Sequence, residues 1–271
     1  MKKLVLLLLM LFATLCLTGC SQEDSKTADS FSAGNTAVSV FKKPIQEAGT
    51  GDIVTFGRYE QDNDLGNGPE PIDWIVLDVQ DGKALLLSKY GLDQKPYNLK
   101  EIITTWEDCS MRRWLNSEFL NLAFSAEEQE AILMTEVDNS DAQGFDWTTH
   151  NRFIEYNTSG GNNTQDKIFL LSYAEAYRYF GVLYHGLDGV GLNLKASVAP
   201  TKYARENGAA IDPSITVDDR YAGWWWLRSP GNKQQLAANI EYEGLLGCRY
   251  VDNEWGCVRP AFWLDLKSDI F

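Results

Sequence analysis

The sequence predicts one α+β domain, and three observations support this fold class. Short apolar runs of strand length lie at both ends of the region that follows residue 44, and capping signals for helices lie between them. Neither an internal repeat nor a second linker divides this region. We therefore expect the N-terminal and C-terminal strands to meet in one mixed antiparallel sheet, with the helices in the middle of the chain.

The N-terminal strands are predicted from apolar runs separated by turn residues. Residues 52–57 form one run, and residues 61–70, rich in Asp, Asn and Gly, form a loop after it. Residues 72–79 and 84–88 are joined through Asp81-Gly82, and an Asp-Gly pair between two apolar runs is a strong hairpin signal. A strand, a polar loop and a hairpin are therefore expected in this order.

The helices are predicted from their capping residues. Three pairs mark helix starts: Thr105 with Asp108, Ser125 with Glu128, and Ser172 with Glu175. The first helix is expected to place five apolar side chains on one face: Met111, Trp114, Leu115, Phe119 and Leu122. The third follows a short strand predicted at residues 168–171 and ends at Gly181, and a shorter helix over residues 201–207 ends at Gly208.

The last part of the chain changes to short β-runs separated by turns. After Tyr221 these runs cover residues 224–228, 237–242, 247–251 and 258–266. They are expected to supply the C-terminal strands of the domain.

The N-terminus has the features of an export signal. Two lysines precede an apolar run at residues 4–17, which is too short to span about 30 Å of hydrocarbon. Leu17-Thr18-Gly19-Cys20 follows directly and resembles the lipobox of bacterial lipoproteins, in which the cysteine thiol is diacylated. We predict a signal peptide at residues 1–19 and lipidation of Cys20. The alternative is an ordinary secretion signal with a cysteine nearby.

Residues 20–44 are rich in Ser, Asp, Ala and Thr without helical periodicity, as expected of a flexible tether. The predicted folded domain then covers residues 45–271. The N-terminal diacylglycerol anchor would hold it at the outer face of the bacterial cell membrane. Nucleic acid is not an expected partner, because 24 Lys and Arg oppose 38 Asp and Glu and the formal net charge is −14.

The chain also carries six strings in the order and spacing of a known family: FGRYEQ at 56–61, PIDW at 71–74, TWEDC at 105–109, RWLN at 113–116, WWLRSPG at 225–231 and VRPA at 258–261. Between about Gly51 and Leu266 the chain thus resembles the bacterial domain-of-unknown-function family 6273, for which no activity is established. Its C-terminal part is also similar to C-type-lectin-like domains and their formylglycine-generating relatives. This second resemblance implies a single C-type-lectin-like domain.

Trp224, Trp226 and Arg228 are candidates for a ligand-binding surface. Flat aromatic rings stack on sugar faces, and Trp224 and Trp226 share one face of a strand because strand residues alternate. The alternative is that these tryptophans belong to the core. Arg228 and Arg259 are expected to pair with buried or partly buried carboxylates.

Asp62, Asp64 and Glu70 are candidates for a calcium site, because they place oxygen ligands close together in one loop. The spacing departs from an EF-hand, since Asn67 and Asp73 occupy the positions of its Gly and Glu. A solvated turn is the alternative, and no other cofactor is expected. His150 and His185 form no zinc-binding pattern.

Cys248 and Cys257 are candidates for a disulfide across the Asp252-Asn253 turn, which would leave Cys109 free. Two separate thiols are the alternative. Formylglycine-generating enzymes carry a copper-binding cysteine pair, but that pair is more closely spaced than these two residues.

No nucleophile elbow, P-loop or dinucleotide-binding motif is present, so the sequence gives no positive evidence of catalysis. We therefore expect a non-catalytic binding module for a glycan, a cell-wall fragment or a protein. One alternative is a carboxylate-dependent enzyme acting on cell-wall or polysaccharide substrates. Another is a structural surface protein.

Overall fold

A computed structural model describes residues 44–140, 158–184 and 191–271, which lie within one compact unit from Phe41 to Phe271. Its strands are β1 (Ile53–Tyr59), β2 (Glu70–Gln80), β3 (Lys83–Ser88), β4 (Asp93–Gln94), β5 (Thr135–Val137), β6 (Thr164–Asp166), β7 (Ile211–Val217), β8 (Arg220–Gly223), β9 (Trp225–Pro230), β10 (Leu236–Ile240), β11 (Leu246–Tyr250), β12 (Cys257–Val258) and β13 (Ala261–Asp265). The signal peptide, Cys20, His150 and His185 lie outside the described residues, as does the tether up to residue 43.

The first sheet contains strands from both ends of the domain, but the prediction of one sheet is wrong, because most of the C-terminal strands form a second sheet. Its strand order is β1-β2-β3-β13, and all three pairings are antiparallel. Asp81 and Gly82 both have positive φ, at 54° and 80°, which is the backbone of the tight turn expected between β2 and β3. Gly57 interrupts the β1–β2 register at a bulge with φ 68°, where a Cβ would lie 2.6 Å from the Phe124 ring.

The second sheet has the strand order β11-β10-β9-β12-β4. The β9–β12 pairing is parallel, and the others are antiparallel. The predicted strand at residues 258–266 is divided between the two sheets: β12 belongs to the second and β13 to the first. Arg259 and Pro260 connect them. Two further antiparallel pairs, β5–β6 and β7–β8, complete the sheets of the described residues.

The helices are α1 (Ser110–Trp114), α2 (Leu120–Ala123), α3 (Ala126–Ala131), α4 (Tyr173–Phe180) and α5 (Lys202–Glu206), with a 3-10 turn at Ile45–Glu47. Both sides of the capping box are present at Ser125 and at Ser172, as predicted. Helix α4 ends at Gly181 in the left-handed conformation, and Thr201 caps α5.

The predicted start of the first helix is wrong. Cys109 caps α1, because its sulfur accepts the backbone N–H of Arg112, and residues 105–108 form a turn before it. A π-helical turn at Leu115–Phe119 separates α1 from α2. Its wider spacing rotates the apolar face, so that Leu120 and Ala123 are buried while Leu122 is 67% exposed.

Residues 168–171 do not form the strand that was predicted there. This segment makes one isolated bridge, between Phe169 and Ala261, along the free side of β13. Its four side chains are nevertheless buried, which explains the continuous apolar run.

An aromatic core fills the space between the first sheet and the helices. Trp74 packs edge-on against Phe262 with the ring centroids 4.7 Å apart, and Phe124 contacts both rings. The indole N–H of Trp74 donates to the Phe56 carbonyl at 2.7 Å, so the buried polar atom is satisfied. Within the described part of the chain, no helix is both long and apolar enough to cross a membrane.

Candidate functional site

The predicted tryptophan platform lies in the protein core. Trp224, Trp225 and Trp226 are each at most 1% exposed. The Trp224 and Trp226 rings share a face, with their centroids 4.8 Å apart in edge-to-face geometry. Trp226 donates its indole N–H to the Lys95 carbonyl at 3.0 Å. Trp224 and Trp226 therefore pack the interior and present no surface to a ligand, so the core alternative is confirmed.

Arg228 pairs with a carboxylate as expected. The side chain is buried, and its Nη1 donates to Glu175 Oε2 at 2.5 Å and to the Leu170 carbonyl at 2.8 Å. These bonds give Arg228 a structural role between β9 and the start of α4. Its proposed part in ligand binding is not supported, because the guanidinium faces the interior.

Among the described residues, Arg259 has no carboxylate partner of the kind that was predicted. Its Nε donates to the Ser88 carbonyl at 2.9 Å, and the guanidinium lies 4.8 Å from the Trp225 ring centroid. Burial lowers the pKa of the Arg259 side chain to about 9. The aromatic face replaces the carboxylate, because Arg259 sits where the chain crosses between the two sheets.

The loop predicted to bind calcium brings together a slightly different set of carboxylates. Oxygens of Glu60, Asp62 and Glu70 lie within 4.8 Å of one another, whereas Asp64 is not part of this cluster. Asp64 instead donates its backbone N–H to Asp62 at 2.8 Å. A hydrogen bond from Asn67 is the main cause that lowers the pKa of Asp62. The solvated-turn alternative accounts for these contacts, and calcium binding by the loop stays a prediction.

The predicted disulfide between Cys248 and Cys257 is wrong. Both residues are free thiols, as is Cys109. Cys248 lies on β11 and Cys257 on β12, and β10 and β9 stand between those strands. Three strand spacings amount to roughly 14 Å, whereas disulfide-bonded Cα atoms lie less than about 7 Å apart. The alternative of separate thiols is therefore confirmed.

An exposed aromatic pair lies at the turn that leaves β11. Trp255 is 61% exposed and Tyr250 is 51% exposed. They line an open groove of about 670 Å³ together with Glu101, Asp252, Asn253 and Glu254. We call this the Trp255 groove. Large exposed rings beside polar side chains mark a surface available for recognition.

The backbone beneath the Trp255 groove is held in place. The Asn253 side chain accepts the N–H of Trp255 at 3.0 Å, and the carbonyl of Trp255 accepts the N–H of Ala210 at 3.0 Å. Gly256 lets the turn lie directly on the core, since a Cβ there would be 2.6 Å from the Trp224 ring. The exposed rings therefore stand on a rigid support, which reduces the entropy lost when a ligand binds.

A second cleft adjoins the Trp255 groove. It has a volume of about 520 Å³ and shares Glu254 with the groove. Trp114 and Leu99 contribute apolar surface to it, and Lys95 Nζ lies 4.6 Å from the Trp114 ring centroid. The two depressions together offer aromatic, apolar and charged groups along one continuous surface.

The comparisons with known proteins give a family but no activity. Residues 81–266 match the family model described as Domain of unknown function (DUF6273). The chain belongs to the DUF6273 family. The match begins at Asp81, so it leaves out the FGRYEQ and PIDW strings that the resemblance from about Gly51 had included. No curated protein and no solved structure matches the chain.

The Trp255 groove lies within the DUF6273 match but was not predicted from the sequence. The sequence predicted only a turn at Asp252-Asn253, between Cys248 and Cys257, and assigned no role to Trp255. The available signal was a tryptophan in a polar turn, directly after a strand had ended at Tyr250. A ring in such a turn has no sheet face to join, unlike Trp224 and Trp226 of the same DUF6273 domain.

Proposed function

We propose that this DUF6273 protein is a non-catalytic binding module and that its Trp255 groove binds a glycan. The observation that carries the proposal is the exposed pair Trp255 and Tyr250 on a fixed turn. A pyranose ring presents an apolar C–H face that stacks on an aromatic ring. It also presents hydroxyl groups at its edge, which need hydrogen-bond partners.

The polar lining of the groove supports a glycan over an apolar ligand. Glu101, Asp252 and Glu254 offer carboxylate acceptors for sugar hydroxyls, and Asn253 adds an amide. The adjoining cleft at Trp114 extends this surface past Glu254, so a ligand of several sugar units would contact both depressions. A cell-wall glycan fragment has this combination of length, hydroxyl groups and apolar ring faces.

The first test is a panel of saccharides and cell-wall fragments, measured with the purified full chain by isothermal titration calorimetry. We expect binding that Trp255→Ala abolishes and Trp255→Phe weakens, since a smaller ring keeps part of the stacking. Leu122→Ala is the control, because Leu122 is 67% exposed on a different surface. Undiminished binding by Trp255→Ala would contradict the proposal. Turnover of a saccharide that stops when Glu101, Asp252 or Glu254 is replaced would favour the enzymatic alternative.

We also propose that the protein is a lipoprotein at the outer face of the cell membrane, anchored through Cys20. The support is the basic start, the apolar run at residues 4–17 and the Leu-Thr-Gly-Cys string. Two acyl chains give stable membrane attachment without a spanning helix. Cys20→Ala should move the protein out of the membrane fraction. Retention of this variant in that fraction would contradict the lipid anchor.

The proposed fold relationship is to C-type-lectin-like domains. It is supported by the first sheet, which contains strands from both ends of the domain. It is also supported by the WWLRS string on β9 and by the VRPA string, which runs from the end of β12 to the start of β13. An experimental structure that superposes the two sheets on a C-type-lectin-like domain with the same strand order would establish it. A different connection of β9 to β13 would refute it.

A further inference from the structure

A separate cleft collects positive charge on this acidic protein. It has a volume of about 410 Å³ and lies between the loop after β1, helix α5 and the β7–β8 hairpin. Lys202 and Arg205 of α5 line it together with Arg220, the first residue of β8. We call it the arginine cleft. It shares no lining residue with the Trp255 groove.

The guanidinium groups of Arg205 and Arg220 are not used in ion pairs or hydrogen bonds with the described residues. Among the described residues, neither guanidinium lies within ion-pair distance of a carboxylate, and neither donates a hydrogen bond. The other described arginines each donate to a carboxylate or a backbone carbonyl: Arg58, Arg112, Arg113, Arg178, Arg228, Arg249 and Arg259. The side chains of Arg205 and Arg220 are both exposed, so their N–H groups are accessible from the cleft.

Arg220 is positioned by an aromatic ring. Its guanidinium carbon lies 4.4 Å from the centroid of Tyr90, which also lines the cleft. Lys89 lies over the same ring at 4.9 Å and pairs with Asp218 in the β7–β8 turn at 3.1 Å. Stacking fixes the plane of a guanidinium while its N–H edge stays available. Arg220 is therefore placed for a planar, hydrogen-bonded contact with a ligand.

The acidic residues of the cleft are already engaged by N–H donors. Glu70 Oε2 accepts the backbone N–H of Gln61 at 2.7 Å. The two carboxylate oxygens of Asp62 accept from Asp64 and Asn67. Asp62 nevertheless keeps its negative charge, so an anion in the cleft is repelled from this wall and attracted to the arginines.

We propose that the arginine cleft binds a phosphate group through Arg205 and Arg220. Lys202 also lines the cleft, but it already pairs with Glu206 at 3.7 Å and donates to the Asp62 carbonyl at 2.9 Å. Each guanidinium offers two parallel N–H donors that match phosphate oxygens, and a dianion suits several cations better than a carboxylate does. The phosphate is either free inorganic phosphate or part of a phosphate ester. This inference does not depend on glycan binding in the Trp255 groove.

The test is a titration of the purified full chain with inorganic phosphate, glycerol phosphate and acetate at low ionic strength. We expect both phosphates, or inorganic phosphate alone, to bind more tightly than acetate. Binding of both would indicate an ester as the natural source, and binding of inorganic phosphate alone would indicate the free ion. No binding of either, or equal binding of acetate, would overturn the proposal.

Substitutions of the cleft residues test whether phosphate binds in the arginine cleft. Arg205→Gln and Arg220→Gln should each weaken phosphate binding at least about tenfold, because each removes one bidentate contact. Asp62→Asn should strengthen it, because a repelling charge is removed. Arg58→Gln makes the same charge change outside the cleft and should leave binding unchanged. Unaltered binding by both cleft arginine variants, or weaker binding by Asp62→Asn, would overturn the assignment.

Discussion

Glu175 Oε2 serves two partners: it lies 2.5 Å from Nη1 of Arg228 and accepts the backbone N–H of Ser172 at 2.7 Å. One carboxylate thus completes the capping box of α4 and neutralises a buried guanidinium of β9. In the second capping box, Glu128 contacts no arginine among the described residues, and its Oε1 instead accepts the backbone N–H of Gly57 at 3.3 Å. This difference between two otherwise similar motifs allows the contribution of the ion pair to be measured.

Glu175→Ala should lower the free energy of unfolding by about 2–3 kcal/mol, because it removes a cap and leaves Arg228 without its carboxylate. Glu128→Ala is the matched control and should cost only about 1 kcal/mol. Urea unfolding followed by tryptophan fluorescence measures both. Equal losses in the two variants would show that the Arg228 contact adds nothing to the cap.

Gly256→Ala should destabilise the domain by about 1–3 kcal/mol, because a Cβ there would overlap the buried Trp224 and Trp226 rings. Gly191→Ala is the control, since nothing lies within 4 Å of a Cβ at that position. Its effect should stay within about 0.5 kcal/mol. Equilibrium unfolding in urea compares the two variants. A neutral Gly256→Ala would mean that the turn can move away from the tryptophans.

The three described cysteines should differ in reactivity. Burial raises the pKa of Cys109 and of Cys257 to about 12, so their thiolate fractions at neutral pH are very small. Cys248 is only partly buried. An alkylating reagent should therefore modify Cys248 first in the native protein, and the other two only after unfolding. Peptide mapping by mass spectrometry checks this order. Detection of two peptides linked by a disulfide between Cys248 and Cys257 would contradict the strand order of the second sheet.

Stability should decline in alkaline solution. Burial raises the pKa of Tyr173 and of Tyr179 to about 12, above the usual tyrosine value of about 10. Between these values the native state retains protons that the unfolded state releases. The stabilisation is therefore fully present below pH 10 and is lost as the pH rises through 12. The buried thiols also lower the free energy of unfolding as the pH rises above about 9, because the unfolded state releases their protons first.

The contribution of Tyr173 and Tyr179 can be separated from that of the thiols and of the other buried tyrosines. A variant with Tyr173→Phe and Tyr179→Phe should show a shallower decline of the free energy of unfolding above pH 10. The matched control is Tyr221→Phe, because Tyr221 is 46% exposed. Urea titrations between pH 8 and 11 measure the slopes. A decline as steep in the double variant as in the unaltered protein would contradict the assignment.

Local signals predicted much of the secondary structure. The Asp81-Gly82 hairpin, the boxes at Ser125 and Ser172, and the stop at Gly181 each depend on a few neighbouring residues. Such features are determined by residues that are close together in the chain, so a short sequence pattern is sufficient to predict them. The meeting of the terminal strands also followed from their positions in the chain.

Features that depend on distant parts of the chain were not predicted correctly. Cys248 and Cys257 are close in sequence, but the insertion of β9 and β10 between their strands separates them. The π-helical turn shifted the buried face away from Leu122 because packing, not propensity, selects such a turn. The exposure of Trp255 and the burial of Trp224 likewise depend on which residues pack around each side chain in the fold. The local sequence does not specify these tertiary neighbours.

The position of β13 next to β3 also determines when the domain can fold. During synthesis β3 leaves the ribosome long before residues 261–265, so the edge of β3 that faces away from β2 has no native partner until those residues emerge. An unpaired apolar edge is a site of aggregation. Protection of this edge in a nascent chain would therefore have to last until residues 261–265 have emerged, and a chain that lacks these five residues would keep the edge open.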